Sequence, residues 1–254
     1  MMKLSAAIIT YNEERNIARC IESVKEIADE ILVVDSHSTD NTVAIAESLG
    51  ARVIKQAFLG YAAQRTFADN AAKNEWILML DADEYLSPQL ASGIAGIKAS
   101  AAAPAYKFAR LNRYNGKWIR HGTWYPDRKT RLYNRTKGTW QGGNVHEYWL
   151  PTDKAVQVPV IKGDLFHDSF KSIADHVGKI NKYTDLAAHD AVARGKTSSL
   201  VKVCLSPFWT FFTAYIIRLG FLDGYEGYLI ARLSAYMTFL KYSKIRQYSR
   251  SEGQ

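Results

Sequence analysis

The chain has 254 residues, of which 47% are hydrophobic, and a formal net charge of +8 at pH 7. This length fits one large domain, or a domain with an extension, and the hydrophobic share is ordinary for a globular protein. Cys20 and Cys204 are too far apart in sequence to form a metal-ligand or redox motif, which favours a reducing compartment.

The positive charge is unevenly distributed along the chain. Residues 105–138 contain ten Lys or Arg and one acid, whereas the first hundred residues are mildly acidic. Residues 196–254 contain eight basic residues, three acids and twelve of the 31 aromatic residues. This asymmetry indicates a nucleotide-binding or catalytic domain followed by segments that meet an anionic partner.

The first ninety residues alternate between predicted strands and helices. The predicted strands are Leu4–Thr10, Ile31–Val34, Arg52–Ile54 and Trp76–Leu80. Three helices are predicted between them: the first begins near Asn12, the second ends near Gly50, and the third spans Tyr61–Lys73. Such alternation with short connections predicts βαβ units around a parallel sheet. The first apolar stretch is brief and has no small-residue cleavage site, so we interpret it as a strand of a cytosolic domain rather than a signal peptide.

The apolar run Trp76–Leu80 ends in three acids, Asp81, Asp83 and Glu84. In extended backbone Asp81 and Asp83 point the same way. Two carboxylates at the end of a central strand suit Mg²⁺ or Mn²⁺ carrying a diphosphate. The alternative is a solvated loop before a helix that Ser87-Pro88 caps and starts.

Polar groups also follow the first two strands, at Thr10-Tyr11-Asn12 and at Asp35. Ligands of open α/β sheets bind at the carboxyl ends of the strands, so these groups and Asp81 are expected to share one crevice. The first strand-helix turn has no G-x-G-x-x-G, and the chain has no G-x-x-x-x-G-K-[ST]. This argues against a dinucleotide dehydrogenase and a P-loop NTPase, and leaves a nucleotide held by side chains and a metal.

Four segments together give a more specific signal than any one of them. They are Ile8-Ile9-Thr10-Tyr11-Asn12-Glu13-Glu14, Val33-Val34-Asp35-Ser36 with Ser38-Thr39-Asp40, Gln64-Arg65, and Leu80-Asp81-Ala82-Asp83-Glu84. With these segments, residues 4–90 resemble the nucleotide-binding half of the family 2 inverting glycosyltransferases. The resemblance implies an α/β, GT-A fold: a Rossmann-like, mostly parallel central sheet flanked by helices.

The resemblance also implies roles for individual residues. The residues it places against the nucleotide are Thr10, Tyr11, Asn12, Glu13, Asp35, Arg65 and Asp81. It assigns the metal, Mg²⁺ or Mn²⁺, to Asp83, and we expect Asp81 and His167 to assist. Thr66 stands where the family commonly has Asn, so Arg65 as a solvated helix charge remains an alternative.

Beyond a helix at 90–97 and a linker at 99–104, the chain becomes richer in short strands. Strands are predicted at 106–111, 130–134, 156–161 and 164–166, with a long loop at 113–129 over the site. Arg128 and Arg131 can present cations to a diphosphate or an anionic acceptor. The alternative is an edge strand kept soluble by its charge.

The segment Gln141-Gly142-Gly143-Asn144-Val145-His146-Glu147 suits a turn that lines a substrate. An inverting transferase needs a base that removes the acceptor hydroxyl proton. Related enzymes carry an acid in a similar His-Glu context, which makes Glu147 the candidate base, with Asp127 second and His146 near the acceptor or diphosphate. The alternative for Glu147 is a surface ion pair.

The last part of the chain combines apolar, aromatic and basic residues. A long helix is predicted at 171–194, and the apolar run 203–217 is expected to be too short to cross a bilayer. Residues 221–244 fit helices lying in a membrane interface, a reading that the resemblance supports. The alternative is a helical subdomain packed on the core or in a dimer.

These patterns predict a GT-A domain at 1–195, with nucleotide-sugar binding at 1–100 and acceptor binding at 101–195, and an amphipathic, membrane-associating helical extension at 196–254. The whole chain resembles lipopolysaccharide core glucosyltransferases. We therefore expect a peripheral enzyme on the cytoplasmic face of the membrane that uses a nucleotide-sugar donor and a glycan or glycolipid acceptor. The alternatives are a sugar nucleotidyltransferase, a glycoside hydrolase, or a nucleotide- or polyanion-binding module without catalysis; no nucleic-acid motif is present.

Overall fold

The computed structural model describes residues 2–142, 147–170 and 172–251, which contain eleven β-strands and seven α-helices. The strands are β1 (Leu4–Thr10), β2 (Glu30–Asp35), β3 (Arg52–Lys55), β4 (Trp76–Asp81), β5 (Glu84–Leu86), β6 (Ala105–Tyr114), β7 (Lys117–Trp118), β8 (Asp127–Asn134), β9 (Gly138–Gly142), β10 (Glu147–Pro151) and β11 (Val160–Phe170). The helices are α1 (Ile17–Val24), α2 (Thr42–Ser48), α3 (Tyr61–Ala71), α4 (Pro88–Ala99), α5 (Ile173–Ala193), α6 (Leu200–Phe212) and α7 (Gly224–Ser251).

The chain divides into two compact units. The first contains the chain up to Arg110 together with Asp127–His167, and the second contains Leu111–Pro126 and the chain from Asp168 onward. The division falls within strands β6 and β11. A hairpin at 111–126 belongs with the C-terminal helices, a long-range association that local patterning does not reveal.

The parallel sheet predicted for the first ninety residues is present. Its strands lie in the order β3-β2-β1-β4, and all are parallel. All seven residues of β1 are buried, as expected for a central strand covered on both faces. Alternate β1 residues enter two separate cores, with Leu4, Ala6 and Ile8 on one face and Ala7 and Ile9 on the other.

The sheet continues beyond β4 with antiparallel strands. The full order is β3-β2-β1-β4-β8-β6-β11-β5, with β7 paired to β6, and β9 and β10 form a separate two-stranded sheet. Residues 156–161 and 164–166 were predicted as two strands, but β11 is one strand that starts at Val160. Gly163, at φ +106°, lies inside this strand, which explains why the sequence pattern breaks there.

Residues 113–129 form more regular structure than the predicted loop. They include the end of β6, the short strand β7 and the start of β8, with Arg113 paired to Trp118. The non-glycine residue Asn115 takes a positive φ of 48° at the tip of this hairpin, a conformation that Asn tolerates well.

The second unit contains the three C-terminal helices. Ser199 caps α6 by accepting a hydrogen bond from the amide of Lys202, and a π-helical turn, Thr213–Ile217, extends α6. By length and composition, Leu200–Ile217 is long and apolar enough to cross a membrane, with 18 residues and a mean hydropathy of 1.5. The prediction that this run is too short is wrong, because the helix starts before Val203 and passes through Pro207.

Candidate active site

Strand register brings polar residues to one edge of the parallel sheet. Thr10 at the end of β1 pairs with Asp35 at the end of β2, and Ile9 pairs with Asp81 at the end of β4. The three strand ends therefore lie side by side, as expected from the sequence. Their side chains and the loops that follow them form the candidate site.

The loops after β1 and β2 are tied together by hydrogen bonds. The buried Asp35 carboxylate accepts hydrogen bonds from the Ser38 hydroxyl at 2.5 Å and the Ser38 amide at 2.9 Å. Asn12, at φ 54°, donates its amide hydrogen to the Ser38 hydroxyl and accepts one from the Thr39 amide at 2.8 Å. This network leaves the Tyr11 side chain 57% exposed, where it can contact a ligand.

Thr10 and Glu13 differ in their surroundings. The Thr10 hydroxyl is buried and has no hydrogen-bond partner among the described residues. The Glu13 carboxylate accepts a hydrogen bond from the Asn16 side chain at 2.6 Å, and its amide donates to the Thr42 hydroxyl at 2.8 Å. Glu13 therefore holds the start of α1 in place, and Thr10 has a polar atom to offer at the strand end.

Helix α3 delivers Arg65 to the end of β4. Its Nη2 atom lies 2.8 Å from Oδ1 of Asp81 and 3.3 Å from Oε1 of Glu147, and its side chain is 1% exposed. The guanidinium also lies 5.1 Å from the centre of the Trp140 ring. The alternative of a solvated helix charge is therefore excluded, and Arg65 links two predicted site residues.

A second buried arginine completes the charge balance. Nη2 of Arg131 lies 2.8 Å from Oδ2 of Asp81 and 2.6 Å from Oε1 of Glu84, and Arg110 adds a longer contact to Glu84 at 3.4 Å. Arg131, predicted to present a cation to the diphosphate or acceptor, is buried and paired with two carboxylates. Arg128, its partner in that prediction, is exposed.

These ion pairs determine the charge states in the site. Burial acts to raise the pKa of Asp81, but the neighbouring Arg65 and Arg131 guanidinium groups outweigh it and hold that pKa well below its usual range. Burial acts to lower the pKa of Arg131, yet Glu84 and Asp81 raise it above its ordinary value. Asp81 and Arg131 therefore both stay ionised at neutral pH.

Asp83 and His167 form a separate polar pair. Their Oδ2 and Nε2 atoms are 3.3 Å apart, since β11 pairs with β5 so that His167 lies opposite Glu84. Among the described residues, no three His, Cys, Asp or Glu side chains are grouped so that they could hold a metal. The predicted trio with Asp81 is therefore corrected, because the oxygens of Asp81 are bound by two arginines. Asp83 and His167 still fit a divalent cation as two protein ligands, with the remaining positions left for diphosphate oxygens and water.

The two candidate bases lie in different electrostatic surroundings. Glu147 is partly exposed and contacts one cation, Arg65. Asp127 contacts Arg110 at 2.7 Å and Lys129 at 3.3 Å. Burial acts to raise the pKa of Asp127, but these two cations outweigh burial, and the pKa lies below its ordinary value. A carboxylate with a depressed pKa is a weaker base, which counts against Asp127 in that role. His146, predicted near the acceptor, and Gly143 lie outside the described residues.

Sequence reasoning missed the internal ion-pair partners of the site. Glu84 is fully buried and also accepts a hydrogen bond from the Asp81 amide at 3.1 Å, and Arg110 pairs with both Glu84 and Asp127. The available signal was that Glu84 directly continues the acidic motif. A third acid there needs counter-ions, and the basic segment supplies them.

Comparison with known proteins identifies the family of this chain. The profile described as "Glycosyl transferase family 2" matches residues 5–156. An uncharacterized glycosyltransferase from Rickettsia bellii is 38% identical over 259 residues, which cover 97% of this chain and 87% of that protein. The lipopolysaccharide core biosynthesis glycosyltransferase LpsC of Rhizobium meliloti is 31% identical over 258 residues, covering 97% of this chain and 93% of LpsC.

A solved structure supports the fold. The mannosyltransferase PcManGT from Pyrobaculum calidifontis aligns with a TM-score of 0.57 at 16% identity, covering 96% of this chain and 86% of that one. The α/β architecture predicted from the sequence is therefore confirmed as a GT-A fold with a long C-terminal helix. The family profile and the near full-length relatives show that the chain is a glycosyltransferase belonging to glycosyl transferase family 2.

Proposed function

We propose that the chain is an inverting, metal-dependent glycosyltransferase that moves a sugar from a nucleotide-sugar, a UDP-sugar, to a lipopolysaccharide-core or other lipid-linked glycan at the cytoplasmic face of the membrane. One observation carries the proposal: Asp83 and His167 lie 3.3 Å apart next to the strand edge where Thr10, Asp35 and Asp81 meet. This arrangement suits a nucleotide with a diphosphate beside it.

The donor is expected at the strand edge. Tyr11 offers an exposed ring for a base, and the buried Thr10 hydroxyl offers a polar atom that no described residue occupies. The side-chain oxygens of Asp35 and Asp81 are hydrogen-bond acceptors suited to the hydrogens of a base and a ribose. PcManGT, which shares the fold, was solved with GDP-Man and Mn²⁺, in agreement with a nucleotide-sugar at this place.

Asp83 and His167 would hold Mg²⁺ or Mn²⁺. The cation would offset the negative charge that develops on the departing nucleoside diphosphate. The exposed Arg128 is a candidate for contacting an anionic acceptor. Arg131 acts at a distance in this scheme, since its guanidinium is paired with Asp81 and Glu84.

Glu147 is the proposed base. Its carboxylate takes the proton of the acceptor hydroxyl as that oxygen attacks the anomeric carbon from the face opposite the diphosphate. The bond from the anomeric carbon to the diphosphate oxygen breaks, the nucleoside diphosphate leaves with the electron pair, and the configuration inverts. Arg65, 3.3 Å from Glu147, holds that carboxylate in position.

The acceptor class is drawn from LpsC, a lipopolysaccharide core biosynthesis glycosyltransferase that aligns along nearly all of both chains. Donor and acceptor must both be in the cytoplasm for this reaction. A lipid-linked acceptor restricts the enzyme to the membrane surface, in keeping with the apolar C-terminal helices.

The test is nucleoside diphosphate release by the purified full chain with UDP- and GDP-sugars, with Mn²⁺, Mg²⁺ or EDTA, and with or without a truncated lipopolysaccharide core. We expect release that needs both the cation and the acceptor. Asp83→Asn and Glu147→Gln should each lower kcat at least about a hundredfold.

Matched controls are available for both substitutions. Glu47→Gln changes an exposed acid on α2 and Asp190→Asn an exposed acid on α5, and both should keep wild-type rates. Full activity in Glu147→Gln would remove that residue as the base. Transfer that continues undiminished in EDTA would overturn the metal-dependent mechanism.

A further inference from the structure

One face of α6 carries large apolar side chains exposed to solvent. Val201, Leu205, Phe208, Trp209 and Phe212 follow each other at helical spacing within a stripe about 100° wide. Phe208 is 70% exposed and Leu205 63%. Burial of such side chains is normally favourable, so a contiguous exposed stripe marks a surface that contacts an apolar partner.

The other side of α6 packs within the second unit. Val203 and Ala214 are buried, and the Thr210 hydroxyl lies 3.2 Å from the Thr238 hydroxyl of α7. Phe211 meets Tyr228 of α7 edge to face. One side of α6 is therefore packed against α7, and the exposed stripe lies on the other side.

The stripe continues into the turn that joins α6 to α7. We use the name α6–α7 turn for residues 216–225, from the end of the π-helical turn to the start of α7. Its exposed apolar residues are Ile216, Ile217, Leu219, Phe221, Leu222 and Tyr225. The turn is firmly held: buried Asp223 accepts hydrogen bonds from the amides of Arg120 and His121, and Lys117 Nζ donates to the Asp223 carbonyl at 2.6 Å. The apolar groups are thus held in place before any partner binds.

Positive charge borders this surface, and the two acids nearest to it in sequence, Asp223 and Glu226, have partners elsewhere. Lys202 lies beside the stripe at helical spacing, and exposed Arg218 lies in the turn between Ile217 and Leu219. Asp223 is buried, and Glu226 lies 3.9 Å from Lys117. Apolar side chains bordered by cations complement the interface of an anionic lipid bilayer, where acyl chains and headgroups lie side by side.

We propose that the exposed α6 stripe and the α6–α7 turn form a membrane-docking surface that lies in the plane of an anionic bilayer, with the turn residues inserted among the acyl chains. The purpose of this docking, bringing the enzyme to a lipid-linked acceptor, rests on the proposed function. The docking itself does not, and it can be measured without donor or acceptor.

The experiment is flotation of the full chain with vesicles of phosphatidylcholine alone or with 30% phosphatidylglycerol, at about 0.1 and 0.5 M salt. We expect binding to the anionic vesicles, weakened but not abolished by salt. Leu205→Asn with Phe208→Asn should lower the partition coefficient at least about tenfold. The matched control is Leu59→Asn with Phe58→Asn, which removes apolar side chains of comparable exposure (65% and 52%) from the first unit.

The charged border has its own pair of variants. Lys202→Glu with Arg218→Glu should lose most of the preference for anionic vesicles. Lys25→Glu with Lys162→Glu makes the same change in net charge at exposed sites of the first unit and should keep that preference. Equal losses in both pairs would mean that net charge alone drives binding, which would overturn the proposed surface.

The native cysteines allow the insertion of α6 into the bilayer to be tested directly. Cys20 is buried and Cys204 is exposed on α6, one turn before Phe208, so a polarity-sensitive maleimide dye labels Cys204 selectively. We expect a blue shift and gain of emission on adding anionic vesicles. No spectral change while the protein floats would show that another surface binds.

A second copy of the chain is the competing occupant. Sedimentation of the unlabelled chain without lipid distinguishes the two: a dimer that Leu205→Asn with Phe208→Asn disperses would overturn membrane docking. Because flotation needs no turnover, an inactive enzyme that still docks would refute the proposed function alone. An active enzyme that ignores vesicles would refute the docking surface alone.

Discussion

Nη2 of Arg65 lies 2.8 and 3.1 Å from the two carboxylate oxygens of Asp81, and the same nitrogen reaches Glu147 at 3.3 Å. One buried cation is thus shared by a residue expected to contact the nucleotide and by the proposed base. A buried ion pair is not by itself a source of stability, but removing one partner leaves the other charge uncompensated.

The first prediction concerns this shared cation. Arg65→Leu leaves Asp81 with Arg131 as its counter-ion and removes the ion pair between Arg65 and Glu147. We expect the free energy of unfolding to fall by about 3 kcal/mol, because carboxylates that lose a buried partner pay a desolvation penalty. Urea denaturation of the full chain, followed by circular dichroism, measures the change.

Arg128→Leu is the matched control, since Arg128 is exposed and on a strand of the same unit. It should change the free energy of unfolding by no more than about 0.5 kcal/mol. If both substitutions cost the same, Arg65 is not a structural counter-ion, and its prediction as a direct donor ligand regains weight.

The second prediction concerns His167 and the cation. His167→Ala removes the imidazole 3.3 Å from Asp83 and leaves one of the two proposed protein ligands. We expect the Mn²⁺ concentration for half-maximal activity to rise about tenfold or more, with kcat largely recovered at saturating metal. Initial rates across a Mn²⁺ titration measure this.

His189→Ala serves as the comparison, because His189 is an exposed helix residue of the second unit that stacks on Tyr248. Its Mn²⁺ dependence should match that of the wild type. An unchanged titration in His167→Ala would place the metal on other groups.

The fold was largely predictable because its first half follows local rules. Apolar runs such as Trp76–Leu80, bounded by polar loops, predict buried parallel strands, and their alternation with helices leaves few possible topologies. The placement of Thr10, Asp35 and Asp81 at one edge follows directly. The continuous strand β11 and the hairpin at 111–126 depend on long-range pairing, which leaves no comparable local pattern.

The site was predictable in composition but not in pairing. The motif after Leu80 predicts clustered carboxylates, but it does not indicate which of these carboxylates form ion pairs with arginines. Arg131 and Arg65 come from segments 50 and 16 residues away from Asp81. Their burial follows from packing, so a surface role for Arg131 and a metal role for Asp81 were reasonable from the sequence and differ from the structure.

The third prediction concerns a buried acid behind the sheet. Asp69 accepts a hydrogen bond from the Tyr133 hydroxyl at 2.7 Å, and Trp140 donates to that hydroxyl at 2.9 Å. Burial raises the pKa of Asp69 from its ordinary 3.8 to about 7, although the bond from Tyr133 acts to lower it. The folded chain therefore holds a proton that the unfolded chain has released.

The sign of the pH dependence follows from this difference. Between pH 4 and 7 the folded state binds more protons than the unfolded state, so the contribution of Asp69 to stability falls as pH rises, by up to about 1.4 kcal/mol per pH unit. Asp69→Asn should remove this slope. Urea titrations of both proteins at pH 5, 6, 7 and 8 give the difference, and parallel stability curves would contradict the raised pKa.

The fourth prediction concerns the close approach of backbone that shapes the α6–α7 turn. A Cβ at Gly227 would lie 1.9 Å from the carbonyl oxygen of Gly220, and backbone cannot move aside as a flexible side chain can. Gly227→Ala should therefore destabilise the chain by about 1–3 kcal/mol through overpacking. Gly178→Ala is the control, because Gly178 lies within α5 with no atom within 4 Å of the new Cβ, and it should gain about 0.5–1 kcal/mol from helix propensity. Thermal unfolding of both variants compares them directly, and a Gly227→Ala protein as stable as the wild type would show that the turn has room to adjust.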